Sequence, residues 1–207
     1  MITTSWGYTL TGVDTLPDIL TEDEFNIMTA EKFAGDARIA SELKAAQGAI
    51  RNYVGWHLAG NLACECRMIP LDKRLTIRGT DILIQLPARY VTEVSKATVG
   101  GSEVSSLYCD PSGILRLFDA VGGLQSRSTQ IVIDYKAGID DAMADPVKDI
   151  IMPRVTHALA NSYGIQSESS GGVSVTYSAN WINTSRATAL ADDNKEVLEP
   201  YRLQGVF

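Results

Sequence analysis

The sequence predicts an α+β fold: a helical bundle, made of a long N-terminal helix and C-terminal helices, with a small antiparallel β subdomain inserted. Three observations predict it. Apolar residues recur every three to four positions over residues 36–58, as one buried helix face requires. Between residues 67 and 138 the pattern changes to alternation, the signature of half-buried strands. A helical pattern then returns after Asp145-Pro146. The expected organisation is an arm and short helix over 1–34, the long helix over 35–62, the β subdomain over 63–140, and C-terminal helices over 145–207. A hairpin or strand is expected near 173–178.

Residues 1–20 are polar and aperiodic, with Gly7, Gly12 and Pro17, and read as an extended arm or loop. Thr21 with Glu24 three residues on forms a capping box, so a short helix starts there. Asp36 caps the long helix, whose stripe is Ile39, Leu43, Ala46, Ile50, Val54 and Leu58, and Gly60 ends it. Such a helix is about 35 Å long. Gly48 and Gly55 lie inside it at a cost of about 1 kcal/mol each against alanine, which reads equally as close backbone packing or as simple tolerance.

Strands are expected at 75–77, 82–86, 91–99, 113–118 and 130–135. Turn residues separate them at Gly79-Thr-Asp81, Pro87, Gly100-Gly101, Asp110-Pro-Ser-Gly113 and Gly122-Gly123. In the third segment Asp145 is the expected cap and Pro146 occupies the first turn, where a missing N–H costs nothing. Val147, Ile150, Ile151, Val155, Ala158, Leu159 and Ser162 form its stripe to about residue 163, and Pro153 is expected to kink or split it. A polar glycine turn follows, then the alternating Val173–Tyr177 segment. Ser185 is the expected cap of a last helix that Pro200 ends.

Composition excludes several classes of function. The 207 residues are enough to bury roughly 70% of the unfolded surface, so no metal or disulfide staple is required. Eighteen basic against 25 acidic residues leave a net charge of −7, which argues against a surface built to neutralise phosphates. Lys73, Arg74 and Arg78 make one small cluster, read as a solvated strand face before a basic patch. No apolar run reaches the roughly 20 residues of a membrane span. Met1-Ile-Thr-Thr-Ser-Trp6 has no basic region followed by an apolar core, so synthesis in the cytoplasm without export is expected.

The search for chemistry finds no nucleophile elbow, Walker A loop, dinucleotide fingerprint or H-E-x-x-H motif. Three cysteines, Cys64, Cys66 and Cys109, make no disulfide framework, and Cys64-x-Cys66 has neither zinc-knuckle spacing nor a second ligand pair. His57 and His157 both fall on expected helices and read as packed or partly exposed side chains before catalytic ones. The clusters Asp140-Asp141 with Asp145, and Asp192-Asp193, lack calcium-loop spacing and read as helix N-terminal or solvent-facing charge. No metal, cofactor or catalytic residue is therefore expected. Tyr177, Trp181 and Tyr201, with Arg202, gather the residue types that dominate protein interfaces, although local packing would use the same aromatics.

The order of these elements over residues 36–207 resembles the head–tail connector, or adaptor, proteins of tailed bacteriophages. Four stretches carry the likeness: Ile50-Arg-Asn-Tyr-Val-Gly-Trp56 at the end of the long helix, and Leu86-Pro87 followed by Val91-Thr-Glu-Val94; then Val132-Ile-Asp-Tyr-Lys-Ala-Gly138 leading to Pro146, and Leu198-Glu-Pro-Tyr-Arg202. The arm at 1–20 and Pro153 depart from the pattern. The resemblance implies a non-enzymatic virion protein of the neck, forming a ring, commonly twelvefold, beneath the portal. Such a ring joins the DNA-filled head to the tail and continues the DNA channel without reading sequence. It also implies the portal and a downstream neck or tail protein as partners, with Tyr177, Trp181, Tyr201 and Arg202 as candidate portal or subunit contacts. A tail-terminator or other neck ring, for which a sheet-dominated pattern is expected, is the second reading. A small metal-dependent hydrolase using His57 or His157 with carboxylates is the third.

Overall fold

The computed structural model describes residues 1–160, 167–170, 173–176 and 190–203, the two short stretches between 160 and 190 as backbone. The strands are β1 (Ile2–Thr3), β2 (Thr9–Thr11), β3 (Leu62–Met68), β4 (Leu75–Arg78), β5 (Asp81–Gln85), β6 (Val91–Val99), β7 (Ser102–Glu103), β8 (Leu107–Cys109), β9 (Ile114–Leu117), β10 (Ile131–Ala137), β11 (Ser167–Ser170) and β12 (Val173–Thr176). The helices are α1 (Glu22–Met28), α2 (Ile39–Val54), α3 (Asp141–Ala160) and α4 (Asp192–Leu198).

This architecture overturns the helical bundle. Among the described residues the fold is mostly β: a six-stranded antiparallel sheet in the order β1-β2-β3-β10-β6-β7, a four-stranded antiparallel sheet in the order β4-β5-β9-β8, and the antiparallel pair β11-β12. The sheets outgrow the expected subdomain because segments read as arm and helix end are strands. The arm supplies β1 and β2, and β2 pairs with β3 through Leu10 opposite Cys64. Residues 62–68 alternate: Cys64, Cys66 and Met68 are buried, while Arg67 faces out. Those three lie opposite Tyr135, Ile133 and Ile131 of β10, which are also buried and form one apolar face with Ala97 and Val99 of β6. In the smaller sheet Ile82 and Ile84 of β5 meet Leu117 and Leu115 of β9, all four buried.

The chain forms two compact units. The first comprises Met1–Pro17, Val54–Met143 and Tyr201–Phe207 and contains both large sheets; the second comprises Asp18–Tyr53 and Ala144–Pro200. In the second unit α1 starts as expected: Thr21 Oγ1 accepts from Glu24 N, and Glu24 Oε2 accepts from Thr21 N. The predicted stripe of α2 is buried at Ile39, Leu43, Ala46 and Ile50. Gln47, which the stripe omits, is buried too, because its amide serves the preceding backbone. Its Oε1 accepts from Ile19 N, and its Nε2 donates to Leu20 O at 3.3 Å and to Asp18 Oδ1 at 3.2 Å.

Four helix boundaries move. α2 starts at Ile39, with Asp36 Oδ1 accepting from Arg38 N at 2.9 Å just ahead of it. The last helix starts at Asp192 behind Ala191, and not at Ser185. α2 ends at Val54, not at Leu58, because Gly55 takes φ +84°, the left-handed residue that closes a helix. α3 starts before Asp145: Asp140 Oδ1 accepts from Met143 N at 2.8 Å and caps it, so Pro146 falls inside the helix. The helix also runs through Pro153 without being split.

Gly48 has open space where a Cβ would stand, and no positive φ. Tolerance is therefore the correct account of this glycine. Gly48→Ala is expected to stabilise the protein by about 1 kcal/mol through helix propensity alone, seen as a higher urea midpoint at unchanged m-value.

Candidate functional site

The first unit draws four backbone segments together beyond the end of α2. Ile139 N donates to Leu58 O at 2.9 Å, Gly60 N to Ile139 O at 3.3 Å, and Gly138 N to Tyr90 O at 3.3 Å. Leu203 N donates to Val54 O at 2.9 Å and brings the C-terminal stretch to the same place. Positive φ angles gather here: Gly55, Leu58, Gly60, Tyr90 and Gly138. Leu58 at +71° and Tyr90 at +55° are side chains in a conformation that costs them energy, held by the surrounding packing.

An aromatic series lines this junction. Trp6 stacks on Tyr8, Tyr8 meets His57 edge-on, and Trp56 meets His57 and stacks on Tyr90, which packs against Tyr201. Trp56 is fully buried, and its Nε1 donates to Tyr201 O at 2.7 Å. Tyr201 Oη donates to Met143 O at 2.9 Å, and Arg89 Nη1 donates to Arg202 O at 3.0 Å. The ending Leu198-Glu-Pro-Tyr-Arg202 thus places its tyrosine inside the first unit.

Of the four candidate contact residues, Tyr201 is 9% exposed, and burial, with Tyr90 beside it, pushes its phenol above the ordinary value. Arg202 is exposed. Tyr177 and Trp181 lie outside the described residues, as does Ser185. The aromatics that hold Tyr201 were not singled out from sequence as a group. Trp56 and His57 could have been: they follow the last apolar position of α2 directly, where a chain reversal must be packed. Tyr90 gave no such signal.

His57 is completely buried; Ala137 O can only accept, so Nε2 donates to it at 2.9 Å. In the neutral ring Nδ1 then accepts from Tyr8 Oη at 2.7 Å, and Tyr8 Oη in turn accepts from His57 N. Burial pushes the thiols up, Cys64 to about 12, Cys66 to about 11 and Cys109 to about 11, far from the thiolate form that binds metal or attacks carbon. Among the described residues no group of three or more His, Cys, Asp or Glu is placed to hold a metal ion. Asp140 serves as a helix cap.

In the second unit one ion pair is partly withdrawn from water. Lys148 Nζ lies 2.7 Å from Glu24 Oε1, with the Lys148 side chain only 10% exposed. Lys148, and then the Thr21 backbone N–H, hold the Glu24 carboxyl down at about 2 from an ordinary 4.5. A depressed carboxylate adds stability above its unfolded pKa and loses it as pH falls towards the folded one. Glu24→Gln is therefore expected to be destabilising at neutral pH, with the gap to wild type closing between about pH 4.5 and 2. Thermal melts of both proteins across that range check it; a gap independent of pH would refute it.

No family model matches this chain, and no curated protein matches it in sequence. Two solved chains are similar along nearly the whole length. One is from the neck of an empty gene transfer agent particle computed with C6 symmetry: 17% identity, TM-score 0.52, with 97% of each chain covered. The other is from the virion of a native gene transfer agent particle: 16% identity, TM-score 0.52, again with 97% of each chain covered. The likeness is one of fold. It spans both compact units. Among the described residues no helix is long and apolar enough to cross a membrane.

Proposed function

We propose that this chain is a structural protein of a phage-like neck, forming a ring beneath the portal that joins the DNA-filled head to the tail and continues the DNA channel. The observation that carries the proposal is the similarity of fold to a neck chain over 97% of both lengths. The net charge of −7 supports it, since a channel wall of the same sign as DNA does not trap the passing duplex. A twelvefold ring contains every sixfold operation, so twelve copies accord with a C6 neck, as six do. The role is assembly, without catalysis. Tyr177, Trp181 and Arg202 are the proposed portal contacts, and Tyr201 anchors the segment that bears Arg202.

The test is mass by light scattering, for the chain alone and mixed with its cognate portal. A ring-sized particle or a shifted portal peak supports the adaptor. A strict monomer indifferent to the portal sinks it. The double variant Tyr177→Ala/Trp181→Ala is expected to weaken docking; unchanged docking removes that stretch from the contact.

A second reading has gained an observation of its own. The sheet-dominated fold is the pattern expected of a tail-terminator or other neck ring. Binding to the tail tube instead of the portal distinguishes it.

A further inference from the structure

We infer that neighbouring copies join head to tail, the β4 edge of one copy seated in the α1–α3 groove of the next. The inference rests on the ring reading above and names the two faces that such a ring requires.

A closed ring of identical chains uses two different, complementary faces on each subunit. Each unit offers one. In the second unit α1 and α3 border a groove of about 440 Å³ lined by Glu24, Ile27, Met28, Asp145, Lys148 and Asp149. Ile27 is 77% exposed and Met28 44%, unusual for apolar side chains at the mouth of a concavity. Lys148 is buried against Glu24, so the charge presented to an incoming surface is that of the exposed Asp145 and Asp149.

The first unit carries the opposite surface. β4 is an end strand of the four-stranded sheet, so among the described residues one side of its backbone has no strand partner. Along it and the preceding loop, Leu71 is 64% exposed and Ile77 48%. Lys73 and Arg78 stand exposed beside them, while Arg74 is held by Asp72 at 2.7 Å. An apolar, basic edge thus matches an apolar, acidic groove. Neither face complements itself, because each carries net charge of one sign once the Glu24–Lys148 and Asp72–Arg74 pairs cancel. That disfavours a two-fold dimer and favours head-to-tail addition.

Reversing the charges tests this directly. Asp145→Lys/Asp149→Lys makes the groove basic, and Lys73→Glu/Arg78→Glu makes the edge acidic. All four side chains are exposed, so both variants should keep the wild-type melting behaviour. Sedimentation velocity is expected to show concentration-dependent self-association of wild type and monomers for each variant alone. Mixed one to one, the variants restore association. Each groove then meets an edge of opposite sign, and copies alternate. Ile27→Ser is expected to weaken association with no charge altered.

Three results overturn the inference. They are variants that self-associate like wild type, a mixture that stays monomeric, and wild type that stays monomeric up to about 1 mM, the weak end of specific affinity. Portal binding, measured separately, keeps the two ideas apart. Charge-reversed chains that still ring the portal refute these faces and leave the adaptor standing, whereas wild type that neither self-associates nor binds portal refutes both.

Discussion

Gly138→Ala is expected to unfold the protein or to cost on the order of 4 kcal/mol or more, the range reserved for a backbone clash with no route to relief. Gly138 has φ +146°, and a Cβ there would overlap the Gly60 carbonyl oxygen and stand 3.0 Å from Asn61 N. These are backbone atoms, so no side chain can swing aside. Nor can Gly60 retreat cheaply, because its N–H is bonded to Ile139 O. The penalty therefore combines steric overlap with the loss of a β10 exit that ties Tyr90, Leu58 and Gly60 together. Urea denaturation with near-UV circular dichroism checks it. Wild-type stability in this variant would mean that the close approach of the 60 and 138 backbones is wrong.

Trp56→Ala is expected to cost about 3–5 kcal/mol, as removal of a buried indole does. The indole is fully buried between His57 and Tyr90, and its N–H serves Tyr201 O. Trp56→Phe separates the two contributions. It keeps an aromatic ring in place and removes the donor, leaving the Tyr201 carbonyl short of a partner at a cost of about 1 kcal/mol. That variant should release the C-terminal segment before it unfolds the sheets. Hydrogen exchange at Leu203 N–H, bonded to Val54 O, and tryptic cleavage after Arg202 should both accelerate. Equal protection in wild type and Trp56→Phe would show that the indole does not hold the ending.

Helix signals were legible because they are local. The Thr21–Glu24 capping box and the α2 stripe need only residues three and four apart, and both stand in the structure. The strands Val91–Val99, Leu75–Arg78, Asp81–Gln85 and Ile131–Ala137 appeared close to where alternation placed them. β1, β2, β7 and β8 did not, since two or three residues carry no period. β3 is not among the expected strands, although Cys64, Cys66 and Met68 alternate as a buried strand face should. The expected cap at Asp145 failed for a different reason. Proline in the first turn is a statistical preference, and the Asp140 carboxylate bonded to Met143 N offered a better start.

The candidate site was less legible than the fold. Tyr201 stood out as an aromatic near the end of the chain, but no local pattern tells an exposed anchor from one seated under Trp56 and Tyr90. The sequence alone determined the acidic balance, the absence of familiar catalytic motifs, the helix faces and most of the longer strands. Each of these depends on composition or on neighbours within a turn or a pleat. Only the tertiary structure decided that the arm joins the large sheet, that β dominates, and that the C-terminal tyrosine is buried. Those outcomes depend on pairing between residues tens of positions apart, where closure entropy is offset by burial that no single segment records.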